Sequence, residues 1–429
     1  MLRSLARSPA FASLRHRNFR LFLGGQFLSL CGTWIQQVAH GWLVLTLTDS
    51  ALVLGLVSTL GSLPILLFTL IGGVVADRVN KRKFVMILQS LMLLEALTLG
   101  ILTAFGWITV PMIIVLAVFF GTLTAFEVPT RQAFVVDVVG KEDLVNAIAL
   151  NSSGFNLARV IGPTIAGVTI AAVGIAACFF LNAASYVAVL AGLAAMKLDP
   201  SEVKPEKREM RTALKEGFAY VLGERWPRTL IFLTATMSVF GYSFMIMLPV
   251  MARDELGVGA AGYGLLLAGV GTGALAAALG LAAFSRKLRQ GRMALSSAAA
   301  MGAGLLLLSL APGLVTALLI CVLTGCAMAA TGISTNTLLQ RLSPDHLRGR
   351  VMGFYSFVAL GMAPFGSLQG GWVAERFGVR TSFAVGGVIS LLAVGLVVYS
   401  FRQVVHAAAK PTPSPGPVSA PEASEGAGV

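Results

Sequence analysis

The chain has 429 residues, of which 56% are hydrophobic and 12% charged, with a net charge of +13. Soluble domains carry about 25% charged residues, so this composition excludes an ordinary soluble enzyme. Positive charge in so apolar a chain belongs to the flanks of membrane-spanning segments rather than to phosphate recognition, which excludes a DNA-binding protein.

A spanning helix needs about 20 apolar residues, and the roughly 240 hydrophobic positions suffice for twelve. In chain order the predicted spans are 20–46, 54–76, 84–105, 108–128, 145–172, 175–196, 229–252, 261–284, 293–311, 314–340, 350–373 and 381–402. The first apolar run follows Arg3, Arg7, Arg15, Arg17 and Arg20 and is about twice the length of a signal-peptide core, so it is expected to stay as a span. The longest polar insert, 197–228, separates six spans from six and holds a predicted surface helix from Arg211 to Gly223. Residues 404–429 are rich in Pro, Ala, Ser and Glu and are expected to be disordered. The implied organisation is an N-terminal six-helix bundle (1–196), a cytoplasmic linker (197–228), a C-terminal bundle (229–403) and a cytoplasmic tail (404–429).

Orientation follows from charge. With the first residues inside, cytoplasmic segments hold 28 of the 32 Lys and Arg, and the external loops hold only Arg253, Arg376 and Arg380. This is a strong positive-inside bias. It predicts a multi-pass protein with both termini inside; the expected location is a bacterial cytoplasmic (inner) membrane. Cys31, Cys178, Cys321 and Cys326 all lie in apolar runs without a CxxC pair, so they are read as small packing residues, with no disulfide and no metal site.

The halves overlay at an offset of about 203, which sets 143–147 over 346–350, Gly162-Pro163 near Pro364 to Gly366, and Gly167 on Gly370. At an offset near 208, Gly72 and Arg78 fall on Gly280 and Arg286. Duplicated six-helix halves are a transporter design, with the substrate site between them near the bilayer midplane.

Between spans 2 and 3 stands Gly73-Val-Val-Ala-Asp77-Arg78-Val-Asn80-Lys81-Arg82-Lys83. It resembles the loop signature G-x-x-x-D-R-x-G-R-K-K of the major facilitator superfamily. Asn80 replaces a Gly; Asn tolerates a left-handed backbone, so the turn is expected to survive. The second-half loop keeps Arg286 but has Ser285 where Asp77 stands. In span 5, Gly154-x7-Gly162-Pro163-Thr-Ile-Ala166-Gly167 resembles the antiporter signature of drug/proton exporters, with Ala166 for one Gly. The segments 34–42, 127–134 and 156–163 are similar to a narrower group, the enterobactin exporter and macrolide efflux proteins, and the resemblance covers about residues 11–403. It implies an all-α membrane protein of twelve helices in two pseudo-symmetric six-helix bundles. Spans 1, 4, 7 and 10 would surround the cavity, and Asp77 would latch onto the start of span 11 near Ser343-Pro344-Asp345, closing the cytoplasmic side. Such a carboxylate would meet the partial positive charge of a helix N-terminus; its alternative is a solvated charge that only sets topology.

Glu127 and Arg131 are four apart and can pair on one helical face, as a structural pair, a gate or a proton carrier. Arg159 lies mid-span, where an Arg costs about 2.5–3.5 kcal/mol on insertion scales and so needs a partner or water. Glu95 and Glu127 are the partners considered, and the role is either structural or cavity-lining, responding to a proton or an anionic substrate. Glu95, the one carboxylate deep in a span, is a proton-carrier candidate, although the resemblance makes span 3 peripheral. Span 1 carries a polar stripe of Gln26, Ser29, Thr33, Gln36 or Gln37, and His40, spaced by three and four. Weaker stripes run through Thr234, Ser238, Tyr242 and Met245, and through Thr324, Thr331 and Ser334. They either line a cavity or join helices. Gly269-Val-Gly271-Thr-Gly273 sits inside span 8, so it is a packing surface rather than a nucleotide loop. Gly162-Pro163 is a candidate hinge, since Pro removes a backbone bond.

No phosphate-binding loop occurs, so the expectation is a secondary active transporter without a cofactor, driven by the proton gradient. It would export a small amphipathic compound (siderophore, macrolide or drug) by alternating access. Import or lipid translocation by the same fold is the alternative, and a non-transporting membrane protein a distant one. The expected partners are a small-molecule substrate and the lipid bilayer, with no nucleic acid and a monomeric chain.

Overall fold

The computed structural model describes residues 9–140, 142–197, 218–284, 289–344 and 347–400. The end of the predicted surface helix is seen as helix from residue 218 to 223. Its beginning, Ser285 and Arg286 of the second-half loop, Asp345 and the tail lie outside the described residues.

Among the described residues, twelve long helical rods run in chain order: α1 (Arg17–Thr48), α2 (Ala51–Ala76), α3 (Lys81–Ala104), α4 (Val110–Val139), α5 (Leu144–Ala172), α6 (Ile175–Ala194), α7 (Arg225–Glu255), α8 (Gly259–Phe284), α9 (Gln290–Ser309), α10 (Leu314–Leu342), α11 (Arg348–Phe377) and α12 (Val379–Ser400). No strand occurs among the described residues. Eleven of these rods are both long and apolar enough to cross a bilayer. The exception is α1, whose 32 residues suffice in length. Its Gln, His and Thr residues dilute its apolar character, because one face turns inward.

Local sequence explains the ends. Ser50 caps α2 by accepting from the Val53 amide at 3.2 Å. Asn80 caps α3 by accepting from the Lys83 amide at 3.1 Å. The backbone at Asn80 is extended, with φ −67° and ψ 102°, so the expected left-handed turn is not formed. Capping is what Asn provides at this position. The α4 rod continues well past the predicted end at 128, through Pro129, because its polar residues pair with one another as described below.

Each half packs in the same pattern. In the first, α2 lies on α4, α3 on α6, and α1 on α5 and α6; in the second, α8 lies on α10 and α9 on α12. The halves meet along two seams, α2 with α11 and α5 with α8, which exchange when the halves are swapped. A Cβ on Gly371 would stand 2.7 Å from the Ala51 carbonyl oxygen and 3.0 Å from Gly55 Cα. One on Gly167 would stand 2.9 Å from the Ala260 carbonyl oxygen, and one on Gly264 would stand 3.0 Å from Gly167 Cα. Gly167 therefore corresponds to Gly371, one residue beyond the Gly370 given by the sequence overlay. The same closeness places Gly269 and Gly273 against Leu318 and Val322 of α10, as expected of a packing surface.

Two rods are interrupted. In α7, π turns at Met237–Gly241 and Met251–Glu255 flank the segment Phe244–Val250. In α11, helix Arg348–Gly361 ends before Ala363–Phe377, where Pro364 sits in a first turn. By contrast α5 runs unbroken through Gly162-Pro163, so the break falls at the second-half counterpart of the expected hinge.

Along α2, contact with α11 is dense against Ala363–Phe377 and sparse against Arg348–Gly361. On α5, Val145, Ile148 and Phe155 are exposed. The halves thus join at the Asp49 end and part toward the end carrying Lys81. Replacing Gly371 by Leu forces this seam apart. Overpacking of this kind costs about 1–3 kcal/mol, and the thermal midpoint in detergent should fall by several degrees. Gly395, with nothing within 4 Å of a Cβ, should accept Leu without change.

Candidate functional site

A cavity of about 390 Å³ lies between the halves. Its polar wall is Thr33, Gln36, Gln37 and His40 of α1, Ser58 and Ser62 of α2, and Glu95 of α3. The first half also lends apolar surface at Leu54, Val57, Ala117 and Phe120, and the second half is mostly apolar: Met245 and Ile246 of α7, and Tyr263 and Leu267 of α8, with Ala363 and Ser367 where α11 restarts. Interrupted helices thus line the cavity, the one place where irregular backbone is tolerated at membrane depth.

The polar wall is ordered by a relay across three helices. Ser185 Oγ donates to Asn182 Oδ1 at 3.0 Å, and Asn182 Nδ2 donates to Gln36 Oε1 at 2.7 Å. Gln36 Nε2 then donates to the Glu95 carboxylate at 2.9 and 3.2 Å. Gly32 makes the crossing possible, since a Cβ there would collide with Asn182 and Ser185. Glu95 is 3% exposed and makes no ion pair among the described residues. Its carboxyl is held by a neutral amide at the cavity wall, so α3 is not peripheral to the site as the resemblance implied.

Toward the basic end, Glu127 Oε1 accepts from Arg131 Nε at 2.9 Å and from Gln89 Nε2 at 3.1 Å, so the predicted i,i+4 pair is formed and tied to α3. Lys81 Nζ reaches Asp137 at 2.9 Å. Arg82 donates to the carbonyls of Leu193 and Ala194 at 3.0 Å each, placing its charge at the C-terminus of α6 where the helix dipole favours a cation. Gly73 has open space around it, and Arg78 is exposed. Asp77 is exposed and ends its own helix through its backbone; its side chain has no partner among the described residues. The expected receiving segment is described only as far as Pro344.

Arg159 pairs with neither Glu95 nor Glu127. It faces the second half instead: Nη2 lies 3.5 Å from Met245 Sδ and 3.8 Å from Met328 Sδ, and the guanidinium is 5.6 Å from the Trp34 ring centroid. The cause is helix rotation, since Glu127 is already satisfied by Arg131 and Glu95 points at α1. Gly162 serves packing, because a Cβ there would lie 2.5 Å from Trp34 Cβ. The Pro163 carbonyl and Gly167 face Gly264 across the α5–α8 seam.

Of the predicted cavity residues, Thr33, Gln37, His40 and Met245 line the cavity. Gln26 is buried away from that wall, with Oε1 unpartnered among the described residues. Tyr242 stands beside Arg159 rather than on the wall. Thr331 is buried and donates to Ser297 Oγ at 2.9 Å, joining α10 to α9. Thr324 and Ser334 are buried with hydroxyls unpartnered among the described residues, and neither they nor Thr331 stands on the wall of this cavity, contrary to what the resemblance implied for span 10. Sequence reasoning missed Asn182, a polar residue in an apolar run just as Glu95 is. It also missed Ser58, Ser62 and Tyr263, which carry no such signal.

The Asp49 end is closed by contacts between halves. Arg253 Nη2 lies 2.6 Å from Asp49 Oδ1, and its Nη1 donates to the Leu45 carbonyl at 2.9 Å. Glu375 Oε2 accepts from Ser50 Oγ at 3.0 Å and from the Leu52 amide at 3.2 Å. Below them Trp42 stacks on Tyr263, with centroids 6.2 Å apart. Asp49 is solvent-exposed, so this pair is screened and worth about 1 kcal/mol or less; such a closure is easily opened.

Residues 8–425 match the family described as transmembrane secretion effectors. The chain is 28% identical to the staphyloferrin A transporter of Staphylococcus aureus, across 89% of this chain and 95% of that one. It is 25% identical to the multidrug efflux pump Tap of Mycolicibacterium fortuitum, across 82% and 88%. In fold it resembles a crystal structure of a single-site mutant of the nucleoside transporter NupG, with a TM-score of 0.74 and 14% identity over 90% of this chain and all of that one.

Two amides on α1 and α6 separate the cost of breaking the relay from that of removing an idle polar group. Asn182→Leu orphans Gln36 Oε1 and should cost about 1–3 kcal/mol, seen as a lower thermal midpoint. Gln26→Leu removes an unpartnered amide oxygen and should be neutral or stabilising in the same assay.

Proposed function

Because the chain belongs to the transmembrane secretion effector family of the major facilitator superfamily, we propose that it is a proton-coupled exporter of a small amphipathic compound such as a siderophore, macrolide or drug. It is a multi-pass membrane transporter and not an enzyme. The observation that carries the finer reading is the cavity itself: amide and carboxyl groups from the first half, apolar side chains from both halves, and cross-half contacts at the Asp49 end.

In this reading the basic end, with Lys81 and Arg82, faces the cytoplasm, and so do both termini; Asp49 and Arg253 face outward. The described conformation then receives substrate from inside. The bundles 1–196 and 229–403 are the moving units, pivoting on the two glycine seams. Outward opening breaks Arg253–Asp49 and the Glu375 contacts, while the cytoplasmic ends close. The exposed Asp77, whose side chain has no partner among the described residues, gains its latch partner in that second state. Glu95 is the proposed proton carrier, since it shares the cavity with substrate and no cation among the described residues competes for it. A proton crossing about 150 mV releases roughly 3.5 kcal/mol, enough for a gradient of roughly 300-fold.

Inside-out vesicles with an imposed pH gradient test this directly. Uptake of siderophores, macrolides or dyes should collapse on adding an uncoupler, and uptake indifferent to the uncoupler would refute coupling. Glu95→Gln should abolish uncoupler-sensitive uptake by tenfold or more while the protein remains in the membrane. Asp77→Asn should lower transport severalfold at unchanged protein level, and a fully active variant would remove the latch.

A further inference from the structure

The cavity leaves one charge unused. Arg159 sits near the middle of α5, level with Trp34 of α1, Met245 of α7 and Met328 of α10. Its guanidinium has five donors, yet the contacts it makes are with an aromatic face and two thioether sulfurs, which are weak acceptors, and the Tyr242 phenol beside it makes no hydrogen bond to it among the described residues. Nε is buried and unpartnered, and Arg159 makes no ion pair among the described residues. The α8 backbone closes behind it, since a Cβ on Gly271 would stand 2.7 Å from the Arg159 carbonyl oxygen.

A half-buried cation without a counter-charge among the described residues carries part of the cost of an unpaired buried charge. Helix insertion alone does not require this arrangement, because a Met or Leu would pack there without charge. The surroundings also have a shape. Phe155, one turn before Arg159 on the same face of α5, meets Trp34 edge to face at 6.1 Å and is exposed. Met245 belongs both to the cavity wall and to the contacts of Arg159, so one flexible thioether touches the guanidinium and the cavity alike.

We propose that Arg159, with Trp34, Phe155 and Met245, forms an anion subsite that selects amphipathic organic acids: molecules with a carboxylate or phenolate beside an apolar or aromatic body. The anion receives the guanidinium donors in the planar, paired geometry Arg favours. The ring lies along Trp34 and Phe155, and Met245 swings aside. This deepens the export reading by naming a substrate class, and it rests on the cavity being the substrate site.

The test is binding, independent of transport. Full-length protein in lipid nanodiscs is titrated with pyrenebutyrate and with its methyl ester, read by energy transfer from tryptophan to pyrene, with empty nanodiscs subtracted. The wild type should bind the carboxylate at least tenfold tighter than the ester. Arg159→Gln should bring that ratio close to one with ester affinity unchanged. Arg159→Lys, which keeps the charge but loses the planar fork, should give a lower ratio than wild type that still exceeds one. A wild-type ratio near one overturns the subsite, as does an undiminished ratio in Arg159→Gln. If Arg159→Gln does not fold, an undiminished ratio in Arg159→Lys overturns it instead. A carboxylate preference that persists while uncoupler-sensitive uptake is absent refutes proton-coupled export and leaves the subsite standing.

Discussion

Hydrocarbon offers no partner to a peptide group, and the architecture follows from that constraint. Every described span is helical, so backbone polar groups are satisfied within their own rods. The π turns of α7 keep their amides bonded, as Tyr242 to Met237 and Leu256 to Met251, and flank the segment that borders the cavity, while α11 restarts at the cavity wall. The same rule governs side chains. Many Thr and Ser hydroxyls donate to carbonyls one turn back in their own helix, as Thr33 does to Ser29 at 2.9 Å. Larger polar groups such as Gln36 and Asn182 are paired across helices.

Two narrow seams then join the halves, each built where glycine allows backbones to touch. Gly55 against Gly371 and Gly264 against Gly167 are one contact made twice, once by each half. Such seams carry little side-chain interlock, so they suit surfaces that pivot. The charges at the Asp49 end lie in water and bind weakly. An enclosed set of ion pairs would hold this state more firmly, which is why the weak closure suits the proposed alternation.

Polar satisfaction also distinguishes structural from working groups. Glu127, Lys81 and Arg82 all have close partners, and each ties two helices or steadies a helix end. Glu95 and Arg159 do not follow that pattern. One carboxyl has only an amide, and one guanidinium has only sulfur and an aromatic face, among the described residues. These are the two charges for which a proton and a substrate are the proposed missing partners.

Apolar runs along the chain defined the rods, because insertion depends on local composition. The Glu127–Arg131 pair was legible because helical spacing puts i and i+4 side by side. The polar stripe of α1 was legible for a similar reason, since a polar face must avoid lipid. The direction of each interior face, in contrast, came from packing. Arg159 turned toward Met245 and Met328 rather than to a carboxylate, Thr331 toward Ser297, and Glu95 toward Gln36. Each choice depends on the rotation and crossing of neighbouring helices, which is set by the sum of many close contacts at residues such as Gly32 and Gly271. No single stretch of chain carries that sum, so the rods could be read along the sequence, but the wall of the cavity could not.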